Sequence, residues 1–161
     1  MRVKVPLHYP GLSKMSATIP LIVLIEDSQT DVFLVKEAIA AHRLDVELHI
    51  LEDGEQATGF IARIESDENA ACPRLFLLDL NLPRTSGFEV LSRIRQSERC
   101  ASVPVLVVTS SDAEKDRAKS AALGATAYFR KPSGYEAFLK LGETFSMIGS
   151  RSTRQRSWRT P

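Results

Sequence analysis

Apolar runs recur along the chain, and each breaks off into charged or hydroxyl side chains. Leu21-Ile22-Val23-Leu24-Ile25 leads into Glu26-Asp27, and Leu75-Phe76-Leu77-Leu78 leads into Asp79. Val105-Leu106-Val107-Val108 leads into Thr109-Ser110-Ser111, and Ala125-Thr126-Ala127-Tyr128-Phe129 leads into Arg130-Lys131-Pro132. Unbroken runs of this kind predict strands buried on both faces, which requires a parallel sheet covered by helices. A further stretch, Val46 to Leu51, alternates Val46, Leu48 and Ile50 with Glu47 and His49, the pattern of a strand nearer a sheet edge.

Helical patterns fill the intervals. Ser28 or Thr30 is placed to cap a helix whose apolar stripe is Val32, Val35 and Ile39. Asp53-Gly54 opens a second helix carrying Ala57, Phe60, Ile61 and Ile64, and a third beyond Gly87 carries Phe88, Val90, Leu91 and Ile94. A fourth, about 112–123, offers only alanines as an apolar face (Ala113, Ala118, Ala121, Ala122). Alanine buries little surface at ~25 cal/mol per Å2, so this helix is expected to dock least firmly. A last helix from Tyr135 places Phe138, Leu141 and Phe145 on one face, with Gly142 inside it at a cost of about 1 kcal/mol relative to Ala. Alternating strands and helices with short connections predict an α/β fold, a doubly wound five-stranded parallel sheet with helices on both faces. The expected division is a flexible extension over 1–19, one domain over 20–148 and a basic tail over 149–161.

Composition narrows the setting. The 161 residues, 43% of them hydrophobic, suffice for one good core. No apolar stretch approaches the ~20 residues of a spanning helix, and residues 1–20 lack the apolar core of a signal peptide. Met15 offers an alternative start. Cys72 and Cys100 match neither a zinc site nor a redox pair, as expected of a reduced, cytoplasmic protein. The formal charge of +1 conceals fourteen Lys and Arg against twenty Asp and Glu over 20–150, flanked by basic ends. The tail's Arg151, Arg154, Arg156 and Arg159 read as a solvated segment, and neither nucleic acid nor membrane is an expected partner.

In an open parallel sheet the ligand crevice lies beyond the carboxyl ends of the strands. Glu26, Asp27, Asp79, Thr109 and Lys131 therefore converge on one rim. Like charges about 4 Å apart repel by ~1 kcal/mol in water and ~4 kcal/mol at an effective dielectric of 20. A divalent cation that prefers oxygen resolves that conflict, and few protein ligands with several waters suits magnesium. A structural salt-bridge cluster explains the acids less well, since it has no use for the hydroxyls of Thr109 and Ser110 at the same rim.

These pieces resemble the receiver domain of bacterial two-component response regulators. The match lies in Ile25-Glu26-Asp27-Ser28, in Leu77-Leu78-Asp79-Leu80-Asn81-Leu82-Pro83 with Ser86-Gly87 behind it, in Val108-Thr109-Ser110 and in Lys131-Pro132. It covers residues 20 to about 148, with 30 positions from Asp79 to Thr109 and 22 from Thr109 to Lys131. The resemblance implies a flavodoxin-like receiver fold and a phosphoacceptor, Asp79, that takes its phosphoryl group from a sensor histidine kinase. It implies Mg2+ bound by Asp27, Asp79 and the backbone carbonyl of Asn81, with Glu26 acting through metal-bound water. It also implies Lys131 on a phosphoryl oxygen, Thr109 and Tyr128 as the switch pair, and a Lys131-Pro132 bond that is often cis.

The stretch Glu47-Leu48-His49-Ile50-Leu51-Glu52-Asp53-Gly54-Glu55-Gln56-Ala57 further resembles small stand-alone regulators that serve phytochrome-like kinases and often self-associate. A downstream protein or phosphotransfer partner and a homodimer follow as expectations. About 30 residues follow Lys131, enough for a helix and a tail but not for an ordinary DNA-binding module. The resemblance implies a phosphoacceptor that assists its own phosphorylation and dephosphorylation, not a dedicated enzyme. A haloacid-dehalogenase-type phosphatase would need an acid two residues past the nucleophile, where Asn81 stands. A dinucleotide-binding domain would need a glycine-rich turn after the first strand, where Glu26-Asp27-Ser28-Gln29 stands. The alternative within the family is a degenerate receiver that binds partners without phosphorylation.

Overall fold

The computed structural model describes residues 2–4 and 19–152. The elements are β1 (Arg2–Lys4), β2 (Leu21–Ile25), α1 (Gln29–Ala41), β3 (Glu47–Leu51), α2 (Gly54–Ser66), β4 (Leu75–Leu78), α3 (Gly87–Gln96), β5 (Val105–Thr109), α4 (Glu114–Ala122), β6 (Ala127–Arg130), α5 (Tyr135–Leu139) and α6 (Leu141–Ser152). They form one sheet in the order β1-β3-β2-β4-β5-β6. Strands β3, β2, β4, β5 and β6 are parallel, the five-stranded sheet expected from the apolar runs. The sixth strand was not expected. β1 pairs antiparallel with β3, Arg2 opposite His49 and Lys4 opposite Glu47, and three residues are too few for any periodicity to announce a strand. Most of 1–19 and of the tail, including Arg154, Arg156 and Arg159, lies outside the described residues.

Both faces of the sheet are covered, which explains why β2 and β4 are apolar at every position and β5 at every position before Thr109. One face joins Ile22, Leu24, Leu77 and Val108 to Val32 and Ile39 of α1 and to Phe138, Leu141 and Phe145. The other joins Val23, Ile25, Phe76 and Leu78 to Ile61 and Ile64 of α2 and to Val90, Leu91 and Ile94 of α3. Each such side chain, fully buried, contributes about 1.5–3 kcal/mol relative to exposure. Caps fix where the helices begin. Ser28, not Thr30, caps α1, its side chain accepting from the Asp31 N–H at 3.3 Å. Asp53 caps α2 by accepting from Gln56, and Ser86 and Glu89 form a capping box on α3.

Three expectations need correction. The alanines of α4 do not face the core: Ala118, Ala121 and Ala122 are exposed, and Ser120 is the helix's buried residue. Long cationic side chains do part of the docking instead, with Lys119 over the Phe88 ring at 4.2 Å and Arg117 over the Tyr128 ring at 4.4 Å. The last strand spans 127–130 rather than 125–129, because the Thr126 hydroxyl accepts from the Val105 N–H in the approach to it. The last helix is two. Bonds from Lys140 N–H to Ala137 and from Glu143 N–H to Lys140 tighten the chain to a three-residue spacing, while Phe138, Leu141 and Phe145 still share one buried face. The Lys131–Pro132 bond is trans, since no described peptide bond is cis.

Glycine marks two close approaches. A Cβ on Gly142 would overlap the His42 imidazole, which explains a glycine inside α6. A Cβ on Gly87 would overlap the Asp79 carbonyl oxygen and the Leu80 Cα, so α3 starts against the loop that leaves β4. Gly87→Ala is expected to destabilise the fold by about 1–3 kcal/mol, the usual effect of overpacking. Gly59→Ala, at an exposed helical position with no atom near the added methyl, should be neutral or stabilising by up to about 1 kcal/mol. Urea unfolding of the two variants checks the pair.

Candidate functional site

Backbone ladders set the rim. Just past β2, the Glu26 N–H donates to the Leu51 carbonyl at 2.9 Å, and just past β4, the Asp79 N–H donates to the Ile25 carbonyl at 3.1 Å. Just past β6, the Lys131 N–H donates to the Thr109 carbonyl at 2.8 Å. Three reactive side chains are thus held one step beyond a rigid sheet. Glu26 and Asp79 flank the point between β2 and β4 where the strand order reverses, the usual place for a ligand crevice.

The Lys131 ammonium sits at the centre. It donates to Glu26 Oε2 at 2.7 Å, Asp31 Oδ2 at 2.8 Å and Asp79 Oδ2 at 3.0 Å. Burial alone would lower its pKa. The hydrogen bonds to Asp31 and Glu26, with the charge of Asp79, outweigh burial and push it above the ordinary lysine value. Glu26 is 2% exposed, and that burial drives its carboxyl up to about 7, with Asp79 adding to the effect. The Lys131 bond, and the Ser28 N–H donating to Glu26 Oε1 at 3.0 Å, pull the other way without cancelling it.

Carboxylate oxygens of Glu26, Asp27 and Asp79 lie within 4.8 Å of one another. Asp27 is exposed while the other two are buried, so the trio opens to solvent on one side. Hard oxygen donors from few residues, with an open face for water, form a site suited to a divalent cation. Asn81, also exposed, donates its N–H to Asp79 Oδ1 at 3.2 Å and so stands at the same rim.

Thr109 is fully buried, and its hydroxyl accepts from the Ser111 N–H at 3.4 Å. The Ser111 carbonyl in turn accepts from the Tyr128 hydroxyl at 2.9 Å, and the Ser111 hydroxyl donates to Asp116 of α4 at 2.6 Å. Glu26, Asp27, Asp79, Asn81 and Lys131 thus lie together at the rim, while the side chains of Thr109 and Tyr128 are linked to each other through Ser111. Arg130, beside Lys131, forms an exposed pair with Asp112 at 3.2 Å and takes no part in the cluster.

Two residues in this network were not expected from the sequence. Asp31 escaped notice because an acid in a helix's first turn is ordinarily explained by the helix dipole. Ser111 carried no signal beyond its place after a strand. Of the histidines, read from the sequence as surface or edge residues, His42 is half-buried and bonds the Ala38 carbonyl, and His49 is half-buried in β3, between β1 and β2, and packs on Phe60, while His8 lies outside the described residues.

Comparison with known proteins agrees with this geometry. Residues 22–141 match the response regulator receiver domain. Response regulator Rcp1 of Synechocystis sp. is 39% identical over 121 residues, covering 75% of this chain and 82% of Rcp1. The probable methanogenesis regulatory protein FilR2 of Methanothrix harundinacea is 33% identical over 116 residues, covering 72% of this chain and 74% of FilR2. The crystal structure of the Mn(2+)-bound form of Rcp1 superposes with a TM-score of 0.73 at 34% identity, covering 86% of this chain and 99% of that one. The phosphorylated cyanobacterial phytochrome response regulator RcpA superposes with a TM-score of 0.75 at 28% identity, covering 87% and 100%. Parallel sheet, acidic rim, lysine bridge and these likenesses converge: the chain belongs to the response regulator receiver domain family, whose proteins signal through phosphorylation.

Proposed function

We propose that this chain accepts a phosphoryl group on Asp79 from the phosphohistidine of a sensor histidine kinase, with Mg2+ at the acidic trio. The observation that supports it most is the double membership of Asp79. Its carboxylate belongs both to the oxygen trio and to the acceptors of Lys131, at the end of a buried strand. In the proposed step an Asp79 oxygen attacks phosphorus, the new P–O bond forms as the P–N bond breaks, and the imidazole leaves as the second product. Asp27, Asp79 and the Asn81 carbonyl would hold the cation directly and Glu26 through water. The cation supplies positive charge to the transferring oxygens. Lys131 presents its ammonium to one of those oxygens, the kind of positioning on which phosphoryl transfer chiefly depends.

The same reading extends to output. A charged phosphoryl oxygen is a strong acceptor for a hydroxyl donor. The Thr109 hydroxyl turning to donate to it gives up the long Ser111 contact, and Ser111 is the residue on which the Tyr128 hydroxyl rests. Loop 110–113, α4 and β6 then form the surface that changes. The RcpA likeness supports a phytochrome-like kinase as donor. A downstream protein or phosphotransfer partner, a homodimer, a cytoplasmic setting and action as a phosphoacceptor without dedicated enzyme activity complete the reading. Among the described residues no helix is long and apolar enough to cross a membrane.

Acetyl phosphate with Mg2+ is expected to add one phosphoryl group to the wild type and none to Asp79→Asn, read by intact mass; equal modification of both overturns the assignment. Thr109→Ala should still be phosphorylated but lose the shift changes at Tyr128 that the wild type shows in NMR spectra. Glu26 gives a pH prediction. Its folded-state pKa, about 7 against an ordinary 4.5, means that stability from this group is complete below about 4.5 and is lost as pH rises through 7. In EDTA the wild type should lose up to about 3 kcal/mol of stability between pH 5 and 8, at roughly 1.4 kcal/mol per pKa unit. Glu26→Gln should flatten that loss and weaken Mg2+ binding, as measured by thermal unfolding across pH with and without the ion.

A further inference from the structure

We infer that Asp31 is a positioning residue for phosphoryl transfer, the acceptor that keeps the Lys131 ammonium over Asp79 when a cation engages the other acids. The inference rests on the assignment of Asp79 as phosphoacceptor. An ammonium has three N–H groups, and Lys131 spends them on Glu26, Asp31 and Asp79. Two of those acceptors, Glu26 and Asp79, belong to the oxygen trio. A divalent ion drawn there competes with the ammonium for both and repels it as a like charge. Asp31 stands outside the trio, and its carboxylate is bonded to Lys131 at 2.8 Å.

Asp31 is also well placed to hold still. It lies in the first turn of α1, where the Ser28 cap fixes its backbone N–H, and its neighbour Val32 is buried on the sheet. It reaches Lys131 from the helix side, whereas Glu26 and Asp79 reach it from strand ends. A four-carbon lysine stem carries about 2 kcal/mol of rotamer entropy. An anchor independent of the metal ligands keeps that freedom suppressed at the moment of transfer, with the other N–H groups released toward the phosphoryl oxygens. A plain helix-dipole acid explains less, because the dipole is served by any orientation in the first turn. Here the side chain is 24% exposed and aimed at a lysine 9% exposed.

The test compares full-length wild type, Asp31→Ala and Asp31→Asn in acetyl phosphate and Mg2+, following the rate of phosphoryl incorporation against the concentration of each. Asp31→Ala is expected to lower the maximal rate about tenfold or more, the scale of a small misplacement of a catalytic group. Its Mg2+ affinity, measured by calorimetry, should stay at the wild-type value. Asp31→Asn keeps an oxygen acceptor and should recover most of the rate. The 15Nζ signal of Lys131, recorded with Mg2+ and beryllofluoride, should be protected from exchange in wild type and Asp31→Asn and lost in Asp31→Ala. An Asp31→Ala variant as fast as or faster than wild type overturns the inference, as does an Asp31→Asn as slow as Asp31→Ala, a parallel loss of Mg2+ affinity, or an unchanged Lys131 signal. A wild type that takes no phosphoryl group on Asp79 instead overturns the assignment beneath it.

Discussion

Lys131 brings a single positive charge to a rim where Glu26, Asp31 and Asp79 all lie within 3.0 Å of its nitrogen, with Asp27 beside them. One cation among four acids leaves the cluster short of positive charge. In water such an excess would be relieved by splaying. Here it persists because Glu26 is 2% and Asp79 6% exposed, and their backbones are bonded into the sheet. Burial also strips the solvent that would screen them. The upward shift of Glu26 to about 7 comes chiefly from that burial, with the neighbouring charge of Asp79 adding to it. The cluster therefore suits a divalent ion better than it suits a closed structural ion network.

The sheet is what makes the strain tolerable. β2 and β4 are packed on both faces, so neither can slide back to separate its acid from the other's. The apolar core thus acts on the chemistry by denying the carboxylates an escape. Rigidity is not uniform, however. α4 contributes Ser120 to the interior and leans on Phe88 and Tyr128 through Lys119 and Arg117, and β6 is only half-buried. Low-burial elements open at lower free energy than core strands. The molecule joins a fixed charge cluster to a lightly held flank, and the connection between them runs through Thr109 and Ser111.

Strand ends were legible in the sequence because a doubly buried strand is an unbroken apolar run, and its end is where polarity returns. That rule alone located Glu26, Asp79, Thr109 and Lys131. Caps were legible for the same local reason at Ser28 and Asp53. Asp31 was not, because its role depends on a partner 100 positions away and its local setting already has an adequate explanation. Nor was the orientation of α4. Alanines at helical spacing read as an apolar face, whereas the helix docks through the aliphatic stems and charged heads of Lys119 and Arg117, which hydrophobic patterning counts as solvent-facing. β1 was invisible because its strand character comes from the free edge of β3 and not from its own three residues.

Whether the proposed switch is energetically reasonable turns on a comparison of small terms. The Thr109 hydroxyl now accepts across 3.4 Å from Ser111, a long contact at the weak end of a net range of about 0.5–1.5 kcal/mol for neutral hydrogen bonds. A bond to a charged acceptor contributes about 1.5–3 kcal/mol. Retained as it is, Ser111 still costs something to move, since its hydroxyl is bonded to Asp116 at 2.6 Å and its carbonyl to Tyr128 at 2.9 Å. These opposing terms are of similar size, so a phosphoryl group on Asp79 would shift a balance rather than drive an irreversible change. A balance of that kind suits signalling, because loss of the phosphoryl group returns Thr109 to Ser111 without any large barrier of repacking. It also explains why the flank is held by hydrogen bonds and cation–π contacts instead of core side chains. A helix anchored by several buried leucines, each contributing about 1.5–3 kcal/mol, would not answer to a single hydroxyl.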